Sequence, residues 1–434
     1  MRYLFASLVF ISVLLGGCSG EHEDKSINSE SAELLSKRRA FDASLGTKFI
    51  PLNDASFDVP TVSQINFLAP EHTNAIWGAV GRDDNGSIYF GVSTHGGDIG
   101  TAYLYQYSPE TDEVKPQSDV ISQLKRAGLF RDGMRQNKLH SKFYQANDGY
   151  LYFSSFDETG EAEGVNPKWG GHLWRKKPEA YNWEHVLETD EALIAINTNG
   201  RYVYALGYWD HVLYQYDTQT NAFKQITVGS TSTHVSRNFI VDENGHAFVP
   251  SLQLNDFNEL VVNLNHYDTE LRLLGSYPMA SYQKDPIKYH HGIIAYTTLE
   301  NGDIYFTTSD GGLYQLALNA GGGEKLTLKG SMHEVDSPYI ASLFPLAGKT
   351  MVTGLSQYSE NNKRKYAWVN YETQNQLSIA HDIDINLPGL WGTVTKDDLG
   401  NMYVGGWDHN RAPVFLKLTL PSTPSKPLAS VEAQ

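Results

Sequence analysis

The sequence predicts an all-β fold, and three observations support this prediction. Helical periodicity is scarce, while short runs rich in Tyr, Val, Ile and Phe recur between turn signals. One module, a polar residue and a glycine followed closely by an aromatic-aliphatic run, occurs seven times. The turn glycines lie about 45 to 63 residues apart, a spacing that suits units of four short strands. Together these observations predict a seven-bladed β-propeller.

The seven copies of the module share a tight turn ahead of a strand. Asn-Gly and Asp-Gly favour turns with positive φ between antiparallel strands, so each copy predicts the hairpin of a blade's first and second strands. The turns and strands are 84–86 before 88–90, 147–149 before 151–153, 199–200 before 202–204, 243–245 before 247–249, 300–302 before 304–306, 347–348 before 351–352 and 398–400 before 402–404.

Further runs predict the third strands of several blades. They lie at 103–107, 213–217, 313–316, 368–371 and, in the last unit, 414–418. The last unit has no fourth strand before a proline-bearing tail. Residues 47–52 are predicted to supply that strand and close the ring, because closure removes exposed sheet edges. A pair of β-sandwiches or a solenoid is the alternative architecture.

The first residues predict export. Arg2 follows the initial Met, residues 4–15 form a short apolar run, and small residues precede Cys18. This segment resembles a bacterial lipoprotein signal, with Cys18 as the lipidated residue; an ordinary secretory signal with a chance cysteine is the alternative. Ser19 favours the outer membrane or cell surface, with part of the protein possible in released form. The domains are therefore 1–18 signal and lipobox, 19–45 polar tether, 46–420 propeller and 421–434 flexible tail.

Composition limits the partners of the chain. Its 434 residues carry a net charge of -16, which argues against nucleic acid as a partner because phosphate binding needs a basic surface. A single cysteine excludes an internal disulfide. The apolar run near the N-terminus is too short for a spanning helix, so a lipid on Cys18 would provide the membrane attachment.

Histidine, aromatic and cationic residues concentrate on one predicted face. Loops that precede first strands and loops that join second to third strands share this face, where a rigid scaffold presents binding residues. The residues are His72, Asn74, His95, His140, Lys168, Trp169, Tyr208, Trp209, Asp210, His211, His234, Arg237, Tyr289, His290, His291, Tyr339, Trp391, Trp407, Asp408 and His409. Such a surface suits an anionic carbohydrate polymer. The repeated Trp-Asp-His segments have blade packing as an equal alternative.

Other chemistries have weaker support. Sialidases need several converging arginines and a tryptophan-ending aspartate box, and the repeat lacks that box. No heme motif and no glycine-rich phosphate loop before a helix is present. Loops at Asp98 and at Asp408 with His409 permit a calcium or zinc ion, but their ligand spacing leaves the metal undetermined.

The overall plan resembles the propeller-type ulvan lyases, polysaccharide lyases of marine bacteria. The resemblance rests on His140 within 137–142, His172 within 170–174, Tyr208, Arg237 within 236–238, and His291; Tyr214 or Tyr216 is an alternative to Tyr208. It implies β-elimination beside a uronic acid, with ulvan as the preferred polymer and no stated endo or exo mode. Arg237 would neutralise the carboxylate, His140 would act as base and Tyr208 as acid, while His172 and His291 would orient the substrate or assist.

Further residues are predicted to bind substrate. They are His95, Lys142, Trp169, Tyr289, His290, Tyr339 and Trp391. The alternative function is that of a non-catalytic surface lipoprotein that binds glycan or protein partners on its propeller face, because a propeller fold by itself does not imply catalysis.

Overall fold

The fold is described here from a computed structural model. The structure describes residues 48–49, 59–94, 100–159, 165, 167–209, 211–228, 236–257, 259–282, 292–318, 325–346, 350–392 and 395–421. The predicted signal and tether, Cys18 among them, and the tail after residue 421 lie outside these ranges.

The described residues form β-strands and one short helix. The first twelve strands are β1 (Lys48–Phe49), β2 (Thr61–Gln64), β3 (Thr73–Ala75), β4 (Val80–Arg82), β5 (Ile88–Thr94), β6 (Tyr103–Ser108), β7 (Glu113–Asp119), β8 (Lys138–Leu139), β9 (Phe143–Gln145), β10 (Leu151–Phe156), β11 (Gly171–Lys176) and β12 (Glu184–Thr189). The next twelve are β13 (Leu193–Thr198), β14 (Tyr202–Gly207), β15 (Val212–Asp217), β16 (Ala222–Thr227), β17 (Ile240–Val241), β18 (Ala247–Leu254), β19 (Leu260–Tyr267), β20 (Leu273–Pro278), β21 (Ile293–Thr298), β22 (Ile304–Thr308), β23 (Gly312–Ala317) and β24 (Lys325–Ser331). The last are β25 (Tyr339–Pro345), β26 (Met351–Glu360), β27 (Lys363–Glu372), β28 (Leu377–Ile383), β29 (Gly389–Trp391), β30 (Met402–Trp407) and β31 (Pro413–Thr419).

The strands assemble into antiparallel sheets in a β-propeller arrangement. Five sheets stand separately: β13–β16, β17–β20, β21–β24, β25–β28 with β1, and β29–β31 with β2. The sixth sheet has ten strands, because Gly81 and Arg82 of β4 pair in parallel with Phe143 and Tyr144 of β9. A Cβ on residue 81 would lie 2.0 Å from the Phe143 carbonyl oxygen, so only glycine permits this pairing. The all-β prediction is confirmed, but five separate blades are found among the described residues, not seven.

The predicted hairpins are confirmed wherever they are described. Six turn glycines have positive φ, between 76° and 97°, and each lies between the first two strands of its set; they are Gly86, Gly149, Gly200, Gly245, Gly302 and Gly400. The seventh, Gly348, lies outside the described residues. All predicted third strands are also confirmed, as β6, β15, β23, β27 and β31.

An aspartate at the start of the turn fixes several hairpins. The Asp83 carboxylate accepts hydrogen bonds from the backbone N–H groups of Asn85 and Ser87, at 3.0 and 2.9 Å, and from the Tyr89 hydroxyl at 3.1 Å. Asp397 accepts in the same way from two turn N–H groups and from the Tyr403 hydroxyl. These bonds satisfy turn donors that the sheet leaves unpaired, so the turn is stabilised by its own side chain.

The prediction that residues 47–52 supply the last fourth strand is wrong. Lys48 and Phe49 instead pair in parallel with Leu377 and Ser378 at the edge of another sheet. The strand beside β31 is Thr61–Gln64, which pairs antiparallel with it from Thr61↔Thr419 to Gln64↔Leu416. This later segment directly precedes the first set of strands, and its Val62 packs against the core cluster below the last sheet.

Apolar side chains fill the space between neighbouring strand sets. One cluster joins Ile88 and Phe90 of β5 with Tyr403 and Phe415 of the last sheet, with the Phe90 and Phe415 ring centroids 4.3 Å apart. The first and last sets of strands are thus in direct contact. The helix α1 (Val120–Arg126) was not predicted from the sequence. Its N-cap is Asp119, whose side chain accepts a hydrogen bond from the Ser122 N–H. No helix among the described residues is long and apolar enough to cross a membrane.

We expect the segment that contains β2 to carry much of the stability of the N-terminal region. A chain beginning at residue 69 loses β2, the buried Ile65 and Phe67, whose ring lies 5.0 Å from that of Phe90. Burying one such side chain contributes about 1.5–3 kcal/mol, so the thermal midpoint should fall clearly. Of the described structure, a chain beginning at residue 58 loses the short β1 pairing alone, and we expect it to keep the full-length midpoint. Equal midpoints for the two truncations would contradict this role of β2.

Candidate functional site

A pocket lies where the first strands of the sets converge. Its empty volume is about 400 Å³, with the open mouth included. The lining residues come from loops and strands that are far apart in sequence; they are Trp77, Gly78, His140, Ser141, Lys142, Ala195, Arg237, Asn238, Ile294, Tyr339, Ala341, Trp391 and Gly392. The pocket therefore contains two cationic side chains, one imidazole, one phenol and two indoles.

Lys142 is held by a residue from a distant set of strands. Its Nζ donates to the Asn238 Oδ1 at 2.7 Å and lies 5.3 Å from the centre of the Tyr296 ring. The Asn238 amide nitrogen donates to the Ile293 and Ile294 carbonyls at 3.2 and 3.1 Å, which keeps its oxygen turned to the lysine. Burial lowers the pKa of Lys142 to about 8.

His140 has a defined tautomer. Its Nδ1 lies 3.1 Å from the Ile194 carbonyl oxygen, which can only accept, so Nδ1 carries the proton. In the neutral ring Nε2 is then the nitrogen that can accept a proton. The side chain is half-buried in the pocket wall, so a ligand can reach it.

Arg237 and Tyr339 interact electrostatically across the pocket. Burial raises the pKa of Tyr339, and the positive charges of Arg237 and Arg364 oppose that rise. Both pocket side chains are half-buried. The phenol consequently stays protonated at neutral pH, with a guanidinium nearby that would stabilise its ionised form.

Three indoles form one wall of the pocket region. The ring centroids of Trp77 and Trp391 are 5.4 Å apart and nearly parallel, and Trp407 lies 5.0 and 5.3 Å from them. Tyr339 meets Trp391 edge to face at 5.6 Å. Lys138, which pairs with Glu158 at 3.4 Å, lies 5.0 Å above the Trp77 ring. The three indoles therefore pack on one another, and Trp77 and Trp391 line the pocket itself.

Five residues predicted from the sequence meet in the pocket, and the other predicted site residues that the structure describes do not line it. His140 is one of the five, and the others are Lys142, Arg237, Tyr339 and Trp391. Tyr208 is buried in a core cluster with Phe156, and its ring lies 4.3 Å from that of Trp209. Trp169 packs at another core cluster beside Arg131 and Lys168. His95, Tyr289, His290, His291, His234 and Asp210 lie outside the described residues.

His172 is an internal residue of β11. Its Nδ1 lies 2.9 Å from the His185 Nε2, its ring packs near Trp174, and its side chain is fully buried. Burial, assisted by the neighbouring His185 and Arg131, lowers its pKa to about 3. This position does not line the pocket, so it offers no contact with a ligand bound there.

The buried His172 should make the fold sensitive to acid. Its pKa is near 6.5 in an unfolded chain and about 3 in the fold, so between these values the unfolded chain binds more protons. The free energy of unfolding therefore falls as pH drops from 6.5 to 3. Each unit of difference between the two pKa values contributes about 1.4 kcal/mol, so the total fall is a few kcal/mol. Urea titrations from pH 7 to 4 should show a flatter decline for His172→Gln. The exposed His409→Gln is the control, and an unchanged slope in His172→Gln would refute this role.

The lining residues that the sequence did not predict include one indole and one amide. Trp77 and Asn238 line the pocket, yet neither was predicted as a site residue. Trp77 lies shortly before β4, the first strand of its set, and Trp391 ends β29, the first strand of the last sheet. The similar placement of the two tryptophans was the available signal. Asn238 is next to Arg237, but its hydrogen bond to Lys142 joins residues 96 positions apart, which no local pattern indicates.

The described residues contain no group of three or more His, Cys, Asp or Glu side chains placed to hold a metal. Asp408, one of the positions considered for calcium or zinc, accepts hydrogen bonds from the Asn410 and Ala412 N–H groups and thus stabilises a turn. Asp98 lies outside the described residues.

The fold and pocket define a β-propeller with a polar and aromatic pocket among its first strands. No family model and no curated protein matches the chain. The β-propeller domain of Cps50 (Swd1) from Myceliophteria thermophila is similar, with 11% identity and a TM-score of 0.50 over 83% of this chain and 99% of that one.

Two other solved structures are also similar. A WD40 propeller domain of Doa1 has 10% identity and a TM-score of 0.47, over 84% of this chain and 98% of that one. An ulvan lyase, a polysaccharide lyase solved with a bound saccharide, has 11% identity and a TM-score of 0.44, over 80% and 94%. The similarity to the Cps50 domain, at 11% identity, supports the propeller fold and establishes no activity.

Proposed function

We propose that the chain is a polysaccharide lyase that cleaves an anionic, uronic-acid-containing polysaccharide, preferably ulvan, by β-elimination. The observation that carries this proposal is the meeting of Arg237, His140 and Tyr339 in one pocket beside a wall of indoles. These residues supply a permanent cation, a ring nitrogen that accepts a proton, and a protonated phenol. The described lining residues include no carboxylate.

The elimination assigns one task to each of these groups. Arg237 binds the uronate carboxylate and stabilises the negative charge that develops when the C5 proton leaves. The His140 Nε2 takes that proton, the C4–O4 bond breaks as the C4–C5 double bond forms, and a proton from the Tyr339 hydroxyl passes to O4. In this proposal Tyr339 takes the acid role first given to Tyr208, because Tyr208 is buried in the core. His172 and His291 have no assigned step.

The activity test uses several polymers. Ulvan, alginate, pectate and glycosaminoglycans are incubated with the protein, and the absorbance of an unsaturated uronate is followed. A rise with one polymer supports the lyase. Reducing ends without that absorbance would indicate a hydrolase and refute it. Binding of a polymer without any cleavage would favour the second candidate, a non-catalytic glycan-binding propeller, to which the indole wall of Trp77, Trp391 and Trp407 is equally suited.

We also infer that the ring has seven blades closed by β2. The ten-stranded sheet divides into two antiparallel sets, β4–β7 and β9–β12, whose strands are joined by the short β4–β9 pair, with an isolated bridge between Thr101 and Gln136 beside it. Counting them separately gives two further blades beside the five separate sheets. Pairing of β2 with β31, and packing of β5 against the last sheet, supports closure of the ring between the first and last blades.

Export with a lipid anchor remains a proposal from the sequence, and Cys18 lies outside the described residues. We expect Cys18→Ser to be released from the membrane fraction or to accumulate unprocessed, because the acyl chains on this residue would supply the attachment. Fractionation of cells that produce both forms tests this. An unchanged membrane fraction for the serine form would remove the anchor from the proposal.

A further inference from the structure

Lys142 is a buried lysine in the wall of a pocket that is open to solvent. Its residue is 7% exposed, and its side chain reaches the pocket beside Arg237 and Asn238. A lysine ammonium has three N–H donors, and one of them is used by the Asn238 Oδ1. Two donors remain for a partner in the pocket.

Within the described ranges, Lys142 has no carboxylate partner. Its contacts there are the neutral Asn238 amide and the face of the Tyr296 ring. Burial of a charged group without a counter-ion is unfavourable, and a neutral amide compensates only part of the cost. An anion that enters the pocket would compensate the rest.

We propose that Lys142, together with Arg237, forms a carboxylate-binding site in the pocket, and that Lys142 takes up a proton when the carboxylate binds. The inference concerns the binding step in the pocket of the proposed lyase, and it does not require the elimination reaction. The ligand class is a monocarboxylate such as a uronate, as in the proposed substrate, and the indoles of Trp77 and Trp391 are among the other side chains that line the pocket.

The pocket geometry presents the two cations in different ways. Arg237 provides a planar fork that fits both carboxylate oxygens, whereas Lys142 provides a compact charge with rotatable donors. Asn238 is the positioning residue, because its amide is fixed by the Ile293 and Ile294 carbonyls and turns its oxygen towards Lys142. The ammonium is thereby held at the pocket wall.

The other titratable and charged groups around Lys142 can be separated from it. Burial raises the pKa of Tyr296 to about 12 and raises that of Tyr144, whose hydroxyl lies 2.5 Å from the Tyr296 hydroxyl. Tyr339 also stays protonated, and Arg237 keeps its charge. Among the described residues that line the pocket, His140 is the remaining group that can gain a proton, and a variant isolates its contribution.

The proton uptake has a definite dependence on pH. Because the pKa of Lys142 is about 8, roughly half of the protein carries a neutral amine at pH 8. A bound carboxylate favours the ammonium and raises this pKa, so binding at pH 8 should take up about half a proton. At pH 6 the amine is already charged and Lys142 takes up none. Above pH 8 the affinity for the carboxylate should fall with each unit of pH.

The test is calorimetric titration with sodium glucuronate, which contains no bond for the lyase to cleave. Titration of the full chain at pH 8, in two buffers with different ionisation enthalpies, gives the number of protons taken up without any variant. We expect about half a proton, and the same value in His140→Gln. Lys142→Met should weaken binding about ten- to a hundredfold, as loss of a charge-assisted hydrogen bond does.

Lys176→Met is the matched control. Lys176 is also fully buried, donates to the neutral Pro178 carbonyl at 2.8 Å, lies 5.0 Å from the Tyr89 ring, and has a pKa lowered by burial to about 8. It does not line the pocket, so its removal should leave glucuronate affinity and proton uptake unchanged.

Each outcome decides the proposal. Binding without proton uptake at pH 8, uptake that disappears in His140→Gln, or no binding of glucuronate would overturn it. Equal affinities in Lys142→Met and the parent chain would do so as well. Proton-coupled binding with no cleavage of any polymer would support the carboxylate site and refute the lyase. Cleavage of a polymer without proton uptake on glucuronate binding would support the lyase and refute the proton-coupled carboxylate site.

Discussion

Replacement of Arg237 by alanine is expected to lower turnover of the cleaved polymer by about a hundred- to a thousandfold. The proposed elimination places negative charge beside the uronate carboxylate, and loss of one preorganised donor at such a charge typically has this effect. Folding should change little, because the Arg237 side chain is half-buried at the pocket rather than in a core cluster. Initial rates of unsaturated product and the thermal midpoint are measured together.

Arg364→Ala is the matched control for loss of one positive charge. Arg364 also opposes the rise in the pKa of Tyr339, but it is exposed on β27 and does not line the pocket. Its alanine variant should retain turnover. Arg237→Lys should recover only part of the activity, because an ammonium cannot make the planar two-pronged contact. Full specific activity in Arg237→Ala would exclude the assigned role.

Local sequence patterns predicted the strands well because hairpin turns are determined locally. A glycine with positive φ marks each described turn, as at Gly86 and Gly245, and the polar residues before it satisfy the turn donors. These interactions span only a few residues, so a repeated module is sufficient to place them. The short helix at Val120–Arg126 was missed because only one such element interrupts the repeated strands.

The identity of the strand that pairs with β31 in the last sheet could not be predicted from such local patterns. Residues 47–52 and Thr61–Gln64 both precede the first set of strands, and pairing with β31 depends on packing against the last sheet. Val62 packs against the cluster that contains Leu418, a contact between residues that are distant in sequence. Strand character alone does not decide which segment meets that surface.

The sequence predicted only some of the residues in the candidate site, because the side-chain direction of a loop residue depends on packing between distant segments. His140 and Arg237, which precede first strands, and Trp391, which ends the first strand of the last sheet, reach the pocket because the first strands converge there. Tyr208 follows a second strand, and its side chain instead packs with Phe156 in the core. A position between strands indicates a loop but does not indicate whether its side chain faces the pocket or the neighbouring blade.

Gly392 should be the pocket residue most sensitive to a small substitution. A Cβ at this position would lie 0.9 Å from the Ala341 carbonyl oxygen and 1.8 Å from its carbon, so alanine cannot fit without displacement of backbone. Overpacking of this kind costs about 1–3 kcal/mol, and more where backbone must move. We expect Gly392→Ala to reach or exceed the top of that range in urea unfolding.

The same substitution should open the pocket, because separation of Gly392 from Ala341 moves β25 away from β29. Tyr339 and Trp391 lie on these two strands with ring centroids 5.6 Å apart, so their contact would weaken and the near-ultraviolet dichroism of the aromatic wall would decrease. Gly275→Ala is the control, since its nearest contact would be an ordinary 3.4 Å to the Tyr277 hydroxyl. If Gly392→Ala and Gly275→Ala unfold at the same urea concentration, the close approach of these strands is not a determinant of stability.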